Sequence, residues 1–258
     1  MAIEIRPVTE GEAGTFLRLL CNVFELDFER ATSVFFTEPL FDLSHKWALF
    51  EHGIIRSVLT TTPIPFGWGE TVGIAGVATD PAHRSRGLAR QLIEHTLAES
   101  KKRGYVGAML FATSESVYAS VGFETTDTVI EAPVLLSEAI QDPIAMPRDE
   151  VRRLYSEWAA LDPARVQRTD QRWAYWSWRQ AVIEQLNEGY ICLEGSTIRE
   201  ALLQPAPASL PIGVKCNWVG LKSLTESMQI PVGPGRETLK FMTIGLPAQP
   251  QMFMTDQF

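Results

Sequence analysis

The sequence has 258 residues, of which 45% are apolar and 21% charged, with a formal net charge of -8. Such a composition excludes a disordered chain, and the acidic balance argues against nucleic acid as a partner. The length suits one and a half to two α/β domains.

Cys21, Cys192 and Cys216 show no CxxC spacing, and their odd number gives no disulfide framework. Reduced thiols packed in the interior are expected. His45, His52, His83 and His95 lie apart without metal-ligand spacing, so no metal is expected. The chain starts Met-Ala-Ile-Glu-Ile-Arg, with an early charge at Glu4, unlike a secretory leader. No run reaches the ~18 apolar residues of a membrane helix. A cytoplasmic protein with no membrane partner is the expectation.

Ile3 to Arg6 alternates like an edge strand. Thr9 can cap the next helix, with Glu12 at the capping-box position and Phe16, Leu19, Leu20 and Val23 at helical spacing. A second helix is predicted over Glu29 to Thr37. Lys46 to His52 and Ile54 to Thr62 read as a hairpin turned at His52-Gly53. Pro63 to Gly69 is predicted as a loop presenting two exposed aromatics, Phe66 and Trp68. Thr71 to Thr79 reads as a strand ended by Asp80-Pro81, followed by a loop from Ala82 to Arg86 and a helix from Gly87 to about Arg103. Leu88, Leu92, Ile93 and Leu97 form the buried stripe of that helix, and Gly104 stops it. Tyr105 to Thr113 is a nearly continuous apolar run, as in a strand covered on both faces. A short helix over Ser114 to Ser120 and a strand over Glu124 to Leu135 complete the order β-α-α-β-β-β-α-β-α-β. That order indicates a mixed sheet flanked by helices, an α/β fold.

Pro143 and Pro147 bracket a linker that separates a first domain, 1–143, from a smaller one, 148–258. In the second, a helix is predicted over Asp149 to Leu161, then a tryptophan-rich stretch with Trp173, Trp176 and Trp178. A hairpin over Gly189 to Leu203 turns at Gly195, and Pro205 to Pro211 is a proline-rich loop. Val214 to Val219, Thr238 to Leu246 and Gln251 to Phe258 are strand candidates, with a helix near Leu221 to Met228. The order loosely repeats the first half, without a second glycine-rich loop.

The chemistry-bearing segment is Val77-Ala-Thr-Asp-Pro-Ala-His-Arg-Ser-Arg-Gly-Leu-Ala-Arg90, with the core pattern Arg84-x-x-Gly87-x-Ala89. It reads as strand, tight basic loop and helix. Successive backbone N–H groups of such a loop and the following helix N-terminus make an anion cradle. Gly87 lets the backbone approach a ligand, and Arg84, Arg86 and Arg90 place positive charge where a pyrophosphate would sit. A surface helix with solvated arginines would show the same residues. Downstream comes Tyr118-Ala-Ser-Val-Gly122-Phe123.

Together the two motifs resemble the GNAT superfamily of N-acetyltransferases. Its Arg/Gln-x-x-Gly-x-Gly/Ala loop holds the pyrophosphate of acetyl-CoA, and its Tyr-x-x-x-Gly-Phe pattern marks the helix beside the thioester. More narrowly, the stretch from Gly73 to Phe123 resembles the Eis type, with Ala-His-Arg-Ser-Arg-Gly-Leu-Ala-Arg and then Leu110-Phe-Ala-Thr-Ser-Glu-Ser-Val-Tyr118. In that type a catalytic GNAT domain is followed by a degenerate GNAT-like domain and usually a sterol-carrier-like domain. The present length leaves room for the first and a reduced second.

The resemblance implies acetyl-CoA as co-substrate, bound by the strand Val77, Ala78, Thr79, by Arg84, Ser85, Arg86, Gly87, Leu88, Ala89 and Arg90, and by Ser114. It implies direct attack of a primary amine, on a small molecule or peptide, with Tyr118 as general acid. A tyrosine at its ordinary pKa of ~10 is protonated at neutral pH. The acceptor site is expected between the first two helices, the 63–69 loop and the second domain, with Glu25, Asp27, Phe28, Phe66, Trp68 and Glu115 as candidates suited to a cationic amine. In the Eis type the terminal carboxylate reaches the active site, which implies Phe258 as a candidate base. The run Met252-Phe253-Met254 before it suggests a docked tail, and an edge-strand anchor is the alternative reading. A non-catalytic acetyl-CoA sensor, a transferase of longer acyl groups and a homo-oligomer stay open.

Overall fold

The computed structural model describes residues 3–179, 182–186 and 189–258. Met1 and Ala2, which open the N-terminal stretch read above, lie outside the described residues. The first half runs β1 (Ile3–Pro7), α1 (Glu10–Phe24), α2 (Phe28–Phe35), β2 (Lys46–Glu51), β3 (Ile54–Phe66), β4 (Gly69–Thr79), α3 (Leu88–Lys102), β5 (Ala108–Ala112), α4 (Ser116–Ala119) and β6 (Glu124–Pro133). The second half runs α5 (Arg148–Ala160), α6 (Asp170–Arg179), β7 (Val182–Leu186), β8 (Gly189–Glu194), β9 (Thr197–Leu202), β10 (Asn217–Leu221), α7 (Lys222–Ser227) and β11 (Arg236–Ile244). The fold is a mixed α/β one, with the predicted order of elements in its first half.

Local chemistry explains the helix starts. Glu12 accepts from the Thr9 backbone N–H at 2.8 Å, closing the capping box of α1. Asp27 accepts from the Arg30 N–H at 2.7 Å and starts α2. Gly104, at φ +91°, ends the turn after α3.

The described strands form one sheet in the order β1-β2-β3-β4-β5-β11-β6-β10-β9-β8-β7. β4 with β5 and β9 with β10 are parallel; the other pairs are antiparallel. The late strand β11 lies between β5 and β6, with Phe241 opposite Phe111 and their rings stacked at 4.9 Å. One face of the first half packs on α3 through Val72, Ile74, Leu88, Leu92 and Ile93. A second cluster joins Phe16 and Leu20 of α1 to Ala48, Val58 and Ala78. The three cysteines are buried free thiols.

Two sequence expectations are corrected. The 63–69 loop does not exist as such: β3 continues through Phe66, which is buried and stacked on the half-buried Trp68 at 4.8 Å. Proline usually breaks a central ladder. Here Ile64 pairs with Thr71 of β4, so Pro63 and Pro65 turn their missing N–H groups to the side where β2 has already ended. On that side the Pro65 carbonyl accepts from the Gln167 N–H at 2.8 Å. The tail over 251–258 is not a strand either. Gln251 makes a single bridge to Arg165, and Met254–Asp256 is a short 3₁₀ turn.

That tail is held by a buried ionic cluster. Arg168 is fully enclosed and pairs with Glu200 at 2.7 Å and Asp256 at 2.8 Å. Its guanidinium lies 3.7 Å from the Tyr155 ring centre and is flanked by Trp173. Glu200 also accepts from Trp176 Nε1 at 2.9 Å, from the Tyr190 hydroxyl at 2.5 Å and from Thr255. Asp256 accepts from the Tyr155 hydroxyl at 3.2 Å, and its carbonyl accepts from Arg172 at 3.1 Å. Removing one member leaves uncompensated buried charge. Arg168→Ala is therefore expected to cost about 3–5 kcal/mol of stability, measured by urea denaturation, whereas Arg153→Ala, whose partners are exposed, should leave the urea midpoint nearly unchanged.

Candidate active site

The site begins with an interruption in the sheet. β4 pairs with β5 only at Val72 with Ala108, Gly73 with Met109 and Ile74 with Leu110. Beyond Ile74 the two strands part. On the other edge of β4, Val58 faces Ala78 and Thr60 faces Ala75, so Gly76 and Val77 together oppose the one residue Leu59. This bulge turns the strand. Gly76 sits at φ +59°, a left-handed conformation that favours glycine, and a Cβ there would press on Leu20 of α1 at 3.2 Å.

The wedge between the parted strands is a cleft of about 880 Å³. Ile74 to Val77 and Thr79 form one wall, and Phe111 to Ser114 the other. At one end lies the basic loop. Asp80 ends β4 by accepting from the Ala82 N–H at 3.1 Å and from Arg56 at 2.9 Å. Burial raises the Asp80 pKa, but those hydrogen bonds outweigh it and hold the carboxyl below its ordinary range. Ser85 and Gly87 both adopt positive φ, +60° and +73°, and Gly87 is the N-cap of α3. A Cβ on Gly87 would meet only the Gln91 side-chain amide, at 4.0 Å, so its positive φ and not crowding is what favours glycine there. The loop thus presents backbone N–H groups and a helix N-terminus to the cleft, the arrangement that binds anions.

Of the expected cofactor residues, Val77, Thr79, Arg84, Ser85, Gly87, Leu88, Ala89, Arg90 and Ser114 line the cleft. Ala78 is buried against α1. Arg86 points elsewhere: its guanidinium grips Glu51 with both nitrogens, at 3.1 and 2.5 Å, so it braces the loop rather than facing the cleft. Tyr118, on α4, lines the cleft and packs edge-on against Phe123 at 6.3 Å. Burial raises its pKa above the ordinary ~10, so the phenol is protonated throughout the neutral range.

The six acceptor candidates are not brought together at the cleft wall. Glu25 is the exposed, left-handed C-cap of α1. Asp27 is engaged as the N-cap of α2, and the Phe28 ring carries the Arg18 guanidinium at 4.2 Å. Phe66 is in the core with Trp68 against it. Glu115, the N-cap of α4, accepts from Thr125 at 2.7 Å and does not line the cleft, though Ser114 and Ser116 on either side of it do. Lining residues instead include Val23 and Phe24 from α1, Leu239 from β11, and Gln257 and Phe258. The Phe258 ring lies over Gly73, where a Cβ would come within 2.5 Å of it, and 5.6 Å from the Phe111 ring.

Gly73 and Gly76 carried a readable signal, since a glycine inside a strand marks a bulge or a close approach. Leu239 carried none, because its place depends on β11 entering the sheet far from its sequence neighbours.

A parted parallel strand pair, served by an anion loop at a helix N-terminus, makes a cleft suited to a phosphate-bearing ligand with amide groups. Residues 4–126 match the family model described as "Acetyltransferase (GNAT) domain". The chain carries a GNAT acetyltransferase domain and is an acetyl-CoA-dependent acyltransferase. No curated protein matches the chain. Among solved structures, a GCN5-related N-acetyltransferase from Kribbella flavida is 13% identical, with 94% of this chain and 70% of that one covered at a TM-score of 0.69. One from Anabaena variabilis is 16% identical, covering 94% and 72% at 0.66. Eis1 from Mycobacterium abscessus is 12% identical, covering 93% and 73% at 0.59. At these identities the likeness is one of fold. No helix among the described residues is long and apolar enough to cross a membrane.

The different orientations of the two loop arginines make a test. Arg84→Ala should weaken acetyl-CoA binding about tenfold, as expected when a charge-assisted phosphate contact is lost. Arg86→Ala should change it less than about threefold, because that side chain is spent on Glu51. Gly87→Val, forced to positive φ, should lose affinity by at least ~10-fold. Isothermal calorimetry reads all three.

Proposed function

We propose that the protein moves an acetyl group from acetyl-CoA to a primary amine by direct attack, with Tyr118 protonating the leaving thiolate. The observation that carries this reading is the place of the Tyr118 hydroxyl. Tyr118 lines the cleft opened by the parting of β4 and β5, its hydroxyl has no hydrogen-bond partner among the described residues, and burial keeps it neutral. A structural tyrosine at that depth normally bonds its hydroxyl to the protein. The bulged stretch of β4 from Ala75 to Val77 has no strand partner on its cleft side, so its backbone groups are available to the pantetheine amides and the thioester carbonyl. The loop at Arg84 to Ala89 takes the pyrophosphate. The acceptor is a small molecule or a protein amine.

For the proton on the attacking amine, we propose a carboxylate on Phe258. Gln257 and Phe258 line the same cleft as Tyr118, and the Arg168 cluster fixes the residues just before them. An α-carboxyl has an ordinary pKa of ~3.3–3.7 and needs either burial or a relaying water to act as a base at neutral pH. In this reading residues 1–143 bind the cofactor, and 148–258 complete the acceptor side through β11 and the tail. Transfer of a longer acyl group is the second reading, favoured by the size of the cleft.

Tyr118→Phe is expected to lower kcat on the order of 10²-fold with KM nearly unchanged, since proton donation to sulfur is made only in the transition state. Release of free thiol from acetyl-CoA measures it. A raised Tyr118 pKa also means that activity should show no alkaline fall from this residue below pH ~10. Residues appended after Phe258 should depress kcat at least tenfold without changing acetyl-CoA affinity; full activity in an intact tagged protein overturns the carboxylate role.

A further inference from the structure

We infer that the acceptor is a single amine borne on an apolar group, such as an aryl or branched alkyl chain, and not a polycation. This rests on the amine-transfer reading above and names its substrate class. Away from the anion loop, the wall takes its apolar part from Val23 and Phe24 of α1, Phe111 of β5, Leu239 of β11 and Phe258, and its polar part from neutral residues, Gln257, Thr113 and the serines at 114, 116 and 120. Among the described residues no Asp or Glu side chain lines any part of the cleft. The acids that could have served a cationic acceptor are placed otherwise: Asp27 caps α2, Glu115 bonds Thr125 and Glu25 stays outside the wall.

The charged groups that do line it, Arg84 and Arg90, belong to the anion loop, so the acceptor side carries no fixed side-chain charge among the described residues that would recognise a polycation. A carboxylate at Phe258 could serve one amine, not several. The nucleophile in direct attack is the neutral amine, and an apolar wall favours the neutral form of a basic group.

The apolar character continues outside the cleft. At the α1–α2 corner Phe24 is 47% exposed and Leu26 54%. These two apolar side chains, two residues apart and one of them in the cleft wall, continue the apolar surface that a substituent on the amine would meet. Apolar patches beside a pocket mark binding surfaces more often than scattered single exposures do.

The test uses the full chain with acetyl-CoA and three probes: phenethylamine, ethylamine and spermidine. Burying an aromatic ring is worth on the order of ten- to hundredfold, so kcat/KM for phenethylamine should exceed that for ethylamine by this factor. Spermidine should react more slowly than phenethylamine. Phe24→Glu, at a half-exposed position that tolerates a polar residue, should reduce the preference for phenethylamine over ethylamine at least threefold and raise the relative rate with spermidine. Calorimetry with acetyl-CoA establishes that the variant is folded. Spermidine reacting as fast as phenethylamine in the unmodified protein, or an unchanged preference in Phe24→Glu, overturns the inference while leaving amine transfer standing. Thiol release with none of the three amines, from protein that binds acetyl-CoA, overturns the transfer reading and this inference with it.

Discussion

The cleft exists because β4 loses its partner after Ile74. A central strand with open backbone groups is normally unfavourable, since each unpaired N–H or C=O in a dry interior costs free energy comparable to a lost hydrogen bond. Three features keep the strands apart. The bulge at Gly76 and Val77 bends β4 away, with Leu20 of α1 packed where a side chain on Gly76 would stand. β5 is paired on its other edge with β11, over five residues from Ala108 to Ala112, so it is held without β4. α3 is anchored to β4 through Val72 and Ile74, before the divergence begins. The opening is thus built into the register, and a ligand with amide groups can complete the ladder that the protein leaves unfinished.

The second half supplies what the first lacks. Burying Arg168 with two carboxylates is not an efficient way to gain stability, because desolvation offsets much of the attraction. It is an effective way to specify one arrangement: a guanidinium fixed by Glu200 and Asp256, with Tyr155, Trp173, Trp176 and Tyr190 around it, tolerates little displacement. Asp256 is two residues from Phe258. The cluster therefore sets the position of the ring that covers Gly73, and the core of the second half is coupled to the cleft through the last few residues.

The first half was legible in detail because its signals are local. The capping box at Thr9 and Glu12, the His52-Gly53 turn, Gly87 before α3 and Gly104 after it each act over a few residues, and each appears where the sequence places it. The turn of the basic loop into α3 is legible for the same reason. Misreadings fall where a distant segment decides the outcome. Pro63 and Pro65 look like a loop until the missing neighbour on one edge of β3 is known. The apolar run before Phe258 looks like a strand, but Phe253 is buried against Trp158, at 5.0 Å, and the chain turns at Met254 instead. Arg86 looks like a phosphate ligand, yet its partner Glu51 lies on β2, thirty-five positions away.

The same distinction separates cofactor recognition from acceptor recognition. Groups at the basic-loop end of the cleft come from one continuous stretch, Arg84 to Arg90, so their geometry is fixed by a single strand-loop-helix unit. Groups on the acceptor side come from α1, β5, β11 and the tail, segments that meet only once the sheet is assembled with β11 between β5 and β6. A substitution at Phe24 or Leu239 can alter the acceptor wall without touching the loop, whereas any change to the loop affects every reaction the cofactor supports. Acceptor preference is consequently the property most free to differ among proteins that share this fold at 12 to 16% identity, and it has to be read from each cleft individually.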